Sequence, residues 1–486
     1  MATAQSLGVA DAGLKRHVMP LPEVIAQAVA SIAPSAVIAF IPAAIFTTAG
    51  GATAYAYVLA TILMLLAGYV IASFARLHPT AGSLYIYVNK GLGKNGAYLA
   101  GMCIMIASWS ISTGALPGFT LYFSQFLVGF GIPAHGLVPN IILTAASAAA
   151  ACWLTVVGIR ISARVSFILE VLSLAVILIM SAFAIAWASS KGMGFDMQQF
   201  APHNVHISGV FEGLVLGILS FVGFASVDAL GREARNPRKT IPHAIFWSVF
   251  IIGAIYVFTA YSQILVLGGK VGSSADPLTD MVAKIGFPAW YDHLLMLGVS
   301  ASFFAVIVAP MNLVGRVLYV MGAENVIYGR LGVAHERFQT PHRALIFSAI
   351  ASVVVVVIFE LFGADLMNIL VWVDTWGTYG YMLGYLLVSL SAIVYIPRHD
   401  PARKWKIWVA SVIVIIAMLG TFEANIYPVP AYPLNILPFL FLATLVLALC
   451  WYIYLRTKRP EVYAIMGTKH TAELPTGSML GDAFND

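Results

Sequence analysis

The sequence predicts an all-α polytopic membrane protein with twelve transmembrane helices. Of its 486 residues, 60% are hydrophobic and only 10% are charged, which is more apolar surface than a soluble domain can bury. A transmembrane helix needs about 20 mostly apolar residues, and twelve stretches reach that length. Their apolar residues do not alternate with polar ones, as they would in the strands of a membrane β-barrel, so helices are predicted.

The twelve predicted spans follow one another without an inserted soluble domain. They lie at about 22–48, 53–75, 96–128, 138–158, 163–189, 207–231, 241–268, 289–320, 343–363, 366–396, 406–426 and 433–455. We divide the chain into an N-terminal tail, a core with two halves, a final pair of spans and a C-terminal tail. These parts are 1–20, 21–396 (halves 21–189 and 207–396), 397–456 and 457–486.

The placement of basic residues predicts the orientation of these spans, because lysine and arginine concentrate in cytoplasmic loops. With the N-terminus in the cytoplasm, all but three of the 26 basic residues fall on the cytoplasmic side, the exceptions being Lys191, Lys270 and Lys284. Both termini are therefore predicted to be cytoplasmic in a protein of the cell (inner) membrane. The formal net charge of +5 is then a property of membrane loops and does not indicate nucleic-acid binding.

The sequence lacks the residues that several other functions would require. The three cysteines, Cys103, Cys152 and Cys450, lie in apolar runs and show no disulfide or metal-ligand spacing. No Ser/His/Asp cluster or histidine pair at helical spacing suggests an enzyme, and no cofactor or metal is predicted. A channel would need a selectivity element, which we do not find. A membrane sensor stays an alternative, although no signalling domain is attached.

Two spans contain a residue pattern that interrupts a helix. In the first span Pro34 removes one backbone hydrogen bond and clashes with the preceding turn. In the sixth span the run Gly-Phe-Ala-Ser at 223–226 has no strong helix former. An unwound turn is tolerated in lipid only where it lines a cavity within the protein. Pro34 alone is equally compatible with a simple kink.

The positions of the two interruptions suggest a repeated architecture. Spans one and six are the first members of two five-span halves, and an odd number of spans gives the second half the opposite polarity. Paired interrupted helices at matching positions of inverted halves indicate the binding site of a transporter.

Sequence motifs strengthen this interpretation. The run 223–226, followed by Gly-Arg-Glu-Ala-Arg-Asn-Pro-Arg-Lys-Thr-Ile-Pro-His-Ala-Ile at 231–245, resembles the sixth-span signature of the amino acid–polyamine–organocation superfamily. That signature has a Gly-Phe-acid core, then Gly-Glu-Glu, a basic residue, Asn-Pro and Ile-Pro-x-Ala-Ile. Three further stretches are similar to other parts of the family. These are 79–101, which joins spans two and three, 158–164 at the start of span five, and 312–319 at the end of span eight with Thr340-Pro341.

The resemblance implies a leucine-transporter-type fold and a bacterial-type amino acid permease. Spans 1–5 and 6–10 would form the inverted repeats, and spans 11 and 12 would be appended. The substrate would lie at mid-membrane, its carboxylate at N–H groups of the first interruption and its amine at carbonyls of the second. The candidate substrate-binding residues are Ser31, Ile32, Ala33, Ser35, Trp109, Phe221, Phe224, Ala225 and Ser226.

The sequence departs from the family pattern at both interruptions. Many members have a glycine-rich first interruption, whereas this chain has Ile32 and Ala33. Many members also have an acid where this chain has Ala225, and the nearest acid is Asp228. Asp228 could bind a substrate ammonium, gate the cytoplasmic half, or pair with Arg232 as a structural contact.

The remaining candidates concern coupling, gating and the shape of the site. Glu170 in span five could bind the coupling proton, help to hold a cation, or form a structural hydrogen bond between helices. A sodium alternative would use hydroxyls of span eight, at Ser300 and Ser302. Asp374 near the predicted outer end of span ten is a gate candidate or a solvated residue, and Tyr379 is a further aromatic candidate for the pocket wall.

Together these features predict a secondary active transporter that moves an amino acid across the membrane by alternating access. Coupling to protons is expected, with sodium as the alternative. The second candidate function is a transporter or exchanger of amines or polyamines, because the first interruption has few glycines and Asp228 is close to the second.

Overall fold

The computed structural model describes residues 19–79, 83–200, 207–230, 234–274, 276–427, 429 and 432–465. Within these residues the fold is entirely helical, apart from one isolated parallel bridge between Met19 and Ala234. Most of the two predicted tails, and Arg232, lie outside the described residues.

Fifteen α-helices are present in the described part of the chain. The first seven are α1 (Leu21–Ile32), α2 (Pro34–Ala49), α3 (Thr53–Leu77), α4 (Ser83–Gly129), α5 (Leu137–Val157), α6 (Ile159–Ser190) and α7 (Ile207–Leu219). The other eight are α8 (Pro237–Leu267), α9 (Pro277–Ile285), α10 (Ala289–Ala323), α11 (His342–Leu361), α12 (Leu366–His399), α13 (Lys404–Ala424), α14 (Leu437–Lys458) and α15 (Pro460–Ile465).

These helices agree with the predicted spans in number and position. The described residues contain 11 apolar helical stretches long enough to cross a membrane, and the first, Leu21–Leu77, comprises two predicted spans in 57 residues. The protein is therefore a multi-pass membrane protein. The pairing of its halves as inverted repeats and the cytoplasmic location of its termini stay predictions.

The helix that contains the third predicted span starts earlier than predicted and is divided in two. Helix α4 begins at Ser83, before the predicted start near residue 96, and contains Gly93 with non-helical dihedral angles (φ 70°, ψ −170°). The stretch before Gly93 is a separate helical segment, because a residue with positive φ cannot continue an α-helix. This segment, residues 83–92, is too short to be predicted as a span, which needs about 20 mostly apolar residues.

Large apolar side chains are exposed along the outer helices. Trp153 on α5, Phe183 on α6, Phe347 on α11 and Leu447 on α14 are between 56% and 71% exposed. Exposed apolar area of this extent is the surface that a bilayer covers. Helices α1, α2, α4, α10 and α12 are more fully enclosed, and they surround the site described below.

Close contact between α4 and α12 depends on small residues. A Cβ atom added to Gly377 would lie 2.3 Å from the Cβ atom of Ser110, and one added to Gly380 would lie 2.6 Å from the carbonyl oxygen of Cys103. Membrane helices approach closely where such residues face each other. This packing fixes the position of α12, which contributes Asp374 to the site.

Candidate functional site

The first predicted interruption is present as a break between α1 and α2. Helix α1 ends at Ile32, Ala33 has left-handed dihedral angles (φ 52°, ψ 61°), and α2 begins at Pro34. Pro34 cannot donate a hydrogen bond to the preceding turn, which ends α1. A left-handed conformation is unfavourable for alanine, so the surrounding contacts must hold Ala33 in place.

The N–H groups at this break already have acceptors. Oε1 of Glu170 accepts the Ser35 N–H at 2.9 Å, and Oγ of Ser302 accepts the Ala36 N–H at 3.1 Å. Ser302 in turn donates its hydroxyl to Oε2 of Glu170 at 2.6 Å. One carboxylate and one hydroxyl therefore satisfy donors that the start of a helix leaves unpaired, and the negative charge lies at the positive end of α2.

The backbone N–H groups of Ala33 and Val37 also have hydrogen-bond acceptors. The Ala33 N–H donates to the Val29 carbonyl at 3.0 Å, and the Val37 N–H donates to the Ala33 carbonyl at 3.2 Å. In contrast, the carbonyl oxygens of Ser31 and Ile32 accept no hydrogen bond from any described residue. The break therefore offers backbone acceptors to a ligand and no free backbone N–H group between Ala33 and Val37, although the buried hydroxyl of Ser35 has no partner among the described residues.

The second interruption begins earlier than its sequence motif indicates. Helix α7 ends at Leu219, a turn follows, and a 3-10 helix occupies Phe224–Leu230. The hydroxyl of Tyr256 on α8 donates to the carbonyl oxygen of Ser220 at 2.8 Å, which satisfies one group that the end of α7 leaves free.

Gly223 allows the two interruptions to touch. It has a φ of +102°, and a Cβ atom added to it would lie 2.5 Å from the carbonyl oxygen of Ser31. Only glycine combines this conformation with so close an approach. The contact is completed by Ser226, whose hydroxyl donates to Oγ of Ser31 at 2.8 Å.

A cavity of about 180 Å³ lies beside both interruptions. Its wall comes from both interruptions and from α2, α4, α7, α10 and α12, and it is mostly apolar. The lining residues are Ser31, Ile32, Ala33, Ala36, Val37, Phe40, Ile41, Ala44, Ile111, Ala115, Leu216, Leu219, Ser220, Val222, Phe303, Val306, Leu370, Val371, Asp374, Thr375 and Thr378. Drug-sized ligands occupy about 300–1,000 Å³, so this cavity suits a smaller molecule.

Asp374 is the only charged residue among those that line the cavity. Its Oδ1 atom is buried and has no hydrogen-bond partner among the described residues, and no lysine, arginine or histidine lines the cavity wall. The other polar contributors to the wall are the hydroxyl residues Ser31, Ser220, Thr375 and Thr378.

The structure places only part of the predicted substrate-binding set on this cavity. Ser31, Ile32 and Ala33 line it, and Ser226 contacts it through Ser31. Ser35 lies at the break, where its N–H group is bound to Glu170.

The predicted aromatic and small residues of the sixth span lie outside the lining. Phe221 packs edge-on against Tyr256 at a centroid distance of 5.2 Å, and Phe224 packs against Tyr385 at 5.5 Å. Ala225 is buried beside them. Their substrate contacts therefore stay predictions, because none of the three lines this cavity.

The other two aromatic candidates face neighbouring helices. Trp109 donates its Nε1–H to the Ser348 carbonyl on α11 at 3.4 Å. Tyr379 donates its hydroxyl to Oδ1 of Asn425 at 3.4 Å, beyond the end of α13.

The acid Asp228 does not line the cavity. It is fully buried in the 3-10 helix and is electrostatically close to the hydroxyls of Tyr87, Tyr381 and Tyr385. A gating role for Asp228 stays a prediction, and its predicted partner Arg232 lies outside the described residues.

Sequence reasoning missed the cavity contribution of α7 and of the turn that follows it. Leu216 and Leu219 of α7, and Ser220 and Val222 of the turn, line the cavity, although the motif directed attention to residues 223–226. The usable signal was the helical spacing of 216 and 219, which places both on one face of α7. The end of the helix, and hence which face meets the cavity, depends on contacts with Tyr256 and Ser31.

The described residues contain no group of three or more histidine, cysteine, aspartate or glutamate side chains that could hold a metal ion. Of the two serines considered for sodium, Ser300 donates to Leu297 within its own helix, whereas Ser302 contacts Glu170 and Ala36 at the break.

Comparison with known proteins relates this architecture to membrane permeases. The chain is 26% identical over 380 residues to a branched-chain amino acid permease of Bacillus subtilis strain 168, covering 74% of this chain and 77% of the relative. It is 22% identical over 372 residues to a methylthioribose transporter of the same strain, covering 74% and 76%. It is 24% identical over 362 residues to human cationic amino acid transporter 4, covering 71% of this chain and 54% of the human protein.

The match to one protein family is more extensive than any of these alignments. Residues 23–468 match the family described as amino acid permease, from the start of α1 to beyond α14. Because this match includes nearly the whole chain and agrees with the helical membrane fold, the protein belongs to the amino acid permease family.

Proposed function

We propose that the protein is a secondary active transporter that moves an amino acid across the cell membrane by alternating access, driven by a proton gradient. The observation that carries this proposal is the cavity beside the two interruptions, since interrupted helices supply polar backbone groups within the membrane. The fold arrangement that we propose for this mechanism is the pair of inverted halves, 21–189 and 207–396.

Alternating access is supported by a cavity on one side of the interruptions and closing hydrogen bonds on the other. The cavity lies on the α2 and α7 side. On the other side Arg235 donates its N–H to the Met19 carbonyl at 2.8 Å, and Arg164 donates its Nε–H to Oε1 of Glu23 at 3.0 Å. A transport cycle would break these contacts and close the cavity from the opposite side.

We propose that Glu170 is the proton-binding residue. As a carboxylate it accepts hydrogen bonds from Ser35 and Ser302 and so holds the start of α2. A protonated Glu170 has a donor in place of one acceptor, and it loses the negative charge that favours the helix N-terminus. Protonation would therefore loosen the first interruption, which links proton binding to movement of the broken helix.

A small amino acid with an apolar side chain fits the cavity best. A cavity of about 150 Å³ lined by apolar side chains is enough to bind benzene, so about 180 Å³ admits a molecule of amino-acid size. The relative that is a branched-chain amino acid permease suggests leucine, isoleucine and valine as the first substrates to test. An exchanger or transporter of amines is the second candidate, favoured by the unpaired carboxylate of Asp374.

Reconstitution in proteoliposomes tests the proposal. We expect uptake of labelled leucine, isoleucine or valine to increase with an imposed proton gradient and to be indifferent to sodium. Glu170→Gln should lose the response to the gradient while it retains exchange of labelled for unlabelled substrate.

Glu360→Gln is the matched control, because Glu360 is another buried acid that lies on α11 and does not line the cavity. Its response to the gradient should equal that of the unmodified protein. Uptake that depends on sodium and ignores the proton gradient would contradict proton coupling. Proton-driven uptake of an amine, with no uptake of any amino acid, would favour the second candidate function.

A further inference from the structure

We infer that Asp374 binds the positively charged ammonium group of the substrate, and that Gly114 provides the space in which its carboxylate lies. The inference rests on the proposed function, because it assigns a role within the same cavity. It adds that the ammonium end of the substrate is recognised, and that Asp374 and Gly114 determine this specificity.

The first argument is the unsatisfied charge of Asp374. Its carboxylate lines the cavity, receives no hydrogen bond from a described residue, and has no basic residue beside it in the cavity wall. A charged group in a membrane helix is costly unless it is paired. A cationic ligand in the cavity would supply the partner that the protein itself does not supply.

The second argument is the fit between Asp374 and α4. A Cβ atom added to Gly114 would lie 2.0 Å from Oδ1 of Asp374 and 3.3 Å from the carbonyl oxygen of Leu370. Any other residue at position 114 would therefore displace the carboxylate. The carboxylate is held against a surface that has no side chain, which leaves its second oxygen as the contact for a ligand.

The third argument is the balance of donors and acceptors at the first interruption. The carbonyl oxygens of Ser31 and Ile32 accept no hydrogen bond from a described residue, although Gly223 packs against that of Ser31. The N–H groups of Ser35 and Ala36, in contrast, are bound by Glu170 and Ser302. Carbonyl oxygens and a carboxylate bind an ammonium group, which has only donors. A substrate carboxylate would find the N–H groups occupied and would meet the charge of Glu170 beside them.

These arguments lead to a definite rule for recognition. In this conformation of the protein, binding requires the ammonium group and the apolar side chain of the substrate. The carboxylate of the substrate is not required. The apolar side chain would lie against the aliphatic and aromatic wall, which includes Phe40, Ile111 and Phe303.

Three ligands that share the same branched alkyl group test this rule on the purified full-length protein. Leucine has both charged groups, 3-methylbutylamine lacks the carboxylate, and 4-methylpentanoate lacks the amine. A ligand that binds the folded state raises the melting temperature, and at equal concentration the ligand with the lower dissociation constant raises it more. We expect leucine and the amine to raise it at similar concentrations and the acid to leave it unchanged.

Two variants connect the result to the named residues. Asp374→Asn should weaken binding of the amine about tenfold or more, since one charged partner is lost. Gly114→Ala retains the carboxylate of Asp374 but displaces it, so this variant should also weaken binding of the amine. Asp365→Asn is the matched control, because Asp365 is an exposed acid at the start of the same helix and outside the cavity.

The inference is overturned if 4-methylpentanoate stabilises the protein more than the amine does. It is also overturned if Asp374→Asn binds the amine with unchanged affinity, while its ligand-free melting curve shows a folded protein. These measurements use no membrane gradient, so they can fail while proton-driven uptake succeeds, and the reverse is equally possible.

Discussion

Two acids in membrane helices, Glu170 and Asp374, have opposite surroundings. Both oxygens of Glu170 accept hydrogen bonds, one from the Ser35 N–H and one from Ser302. The carboxylate of Asp374 lines the cavity and has no such partner among the described residues. Glu170 does not line the cavity. The two residues therefore differ in whether their oxygens have hydrogen-bond partners and in whether they can contact a ligand in the cavity.

The difference shows that burial of an acid in a membrane protein does not by itself define its role. A carboxylate with all its acceptors used contributes to the structure and can influence it when it is protonated. A carboxylate with an unused acceptor beside an empty space is suited to bind a cation. Stability measurements can separate these two situations, because the first carboxylate should stabilise the folded state and the second should not.

Removal of the Glu170 side chain should have the largest effect on stability. Glu170→Ala leaves the Ser35 N–H and the Ser302 hydroxyl without their acceptor, and each unsatisfied buried group costs about 1–3 kcal/mol. We expect a loss of about 2–6 kcal/mol in the free energy of unfolding, measured by denaturant titration in detergent. Glu360→Ala, which removes an acid that has no hydrogen-bond partner, should cost less. Equal losses in the two variants would contradict the structural role of Glu170.

Removal of the Ser302 hydroxyl should have an intermediate effect. Ser302→Ala deprives the Ala36 N–H of its acceptor and Glu170 of one donor, at a cost of about 1–3 kcal/mol. Ser300→Ala is the matched control, because the Ser300 hydroxyl bonds only within its own helix, to Leu297. Melting temperatures of the two variants provide the comparison. A Ser300→Ala variant as unstable as Ser302→Ala would argue against a special role for the contact at the break.

Neutralisation of Asp374 should have the smallest effect on stability and the opposite sign. Asp374→Asn removes a charge that has no partner, so the ligand-free protein should be unchanged or more stable by up to about 1 kcal/mol. The same variant should bind the amine ligand poorly. A clear loss of stability in Asp374→Asn would mean that the carboxylate has a structural partner, and the contrast with Glu170 would fail.

Several parts of this protein were predictable because they depend on local composition. Apolar runs of sufficient length predicted the membrane spans, and Pro34 predicted the first interruption, since proline acts on its own turn. The segment before Gly93 and the early end of α7 were not predicted. The first is too short to register as a span, and the second depends on a packing partner, since Tyr256 binds the Ser220 carbonyl at the end of α7.

The candidate site was predicted only in part, for the same reason. Ser31, Ile32 and Ala33 lie at the break beside Pro34, and their role in substrate binding stays a prediction. The sequence could not show which of their backbone groups lack a hydrogen-bond partner. That depends on Glu170 and Ser302, which lie more than 130 residues away from the break along the chain. Asp374 and Gly114 are equally remote from one another in sequence, and their contact exists only in the packed fold.

The sequence by itself determined the class of protein, its long apolar helices, the two interruptions and the family. These features follow from apolar length, from proline and glycine, and from motifs, all of which act over a few neighbouring residues. The tertiary structure decided which acid is satisfied and which is available to a ligand. Hydrogen bonds act over about 3 Å, so they depend on which helices are brought together and not on the order of residues along the chain.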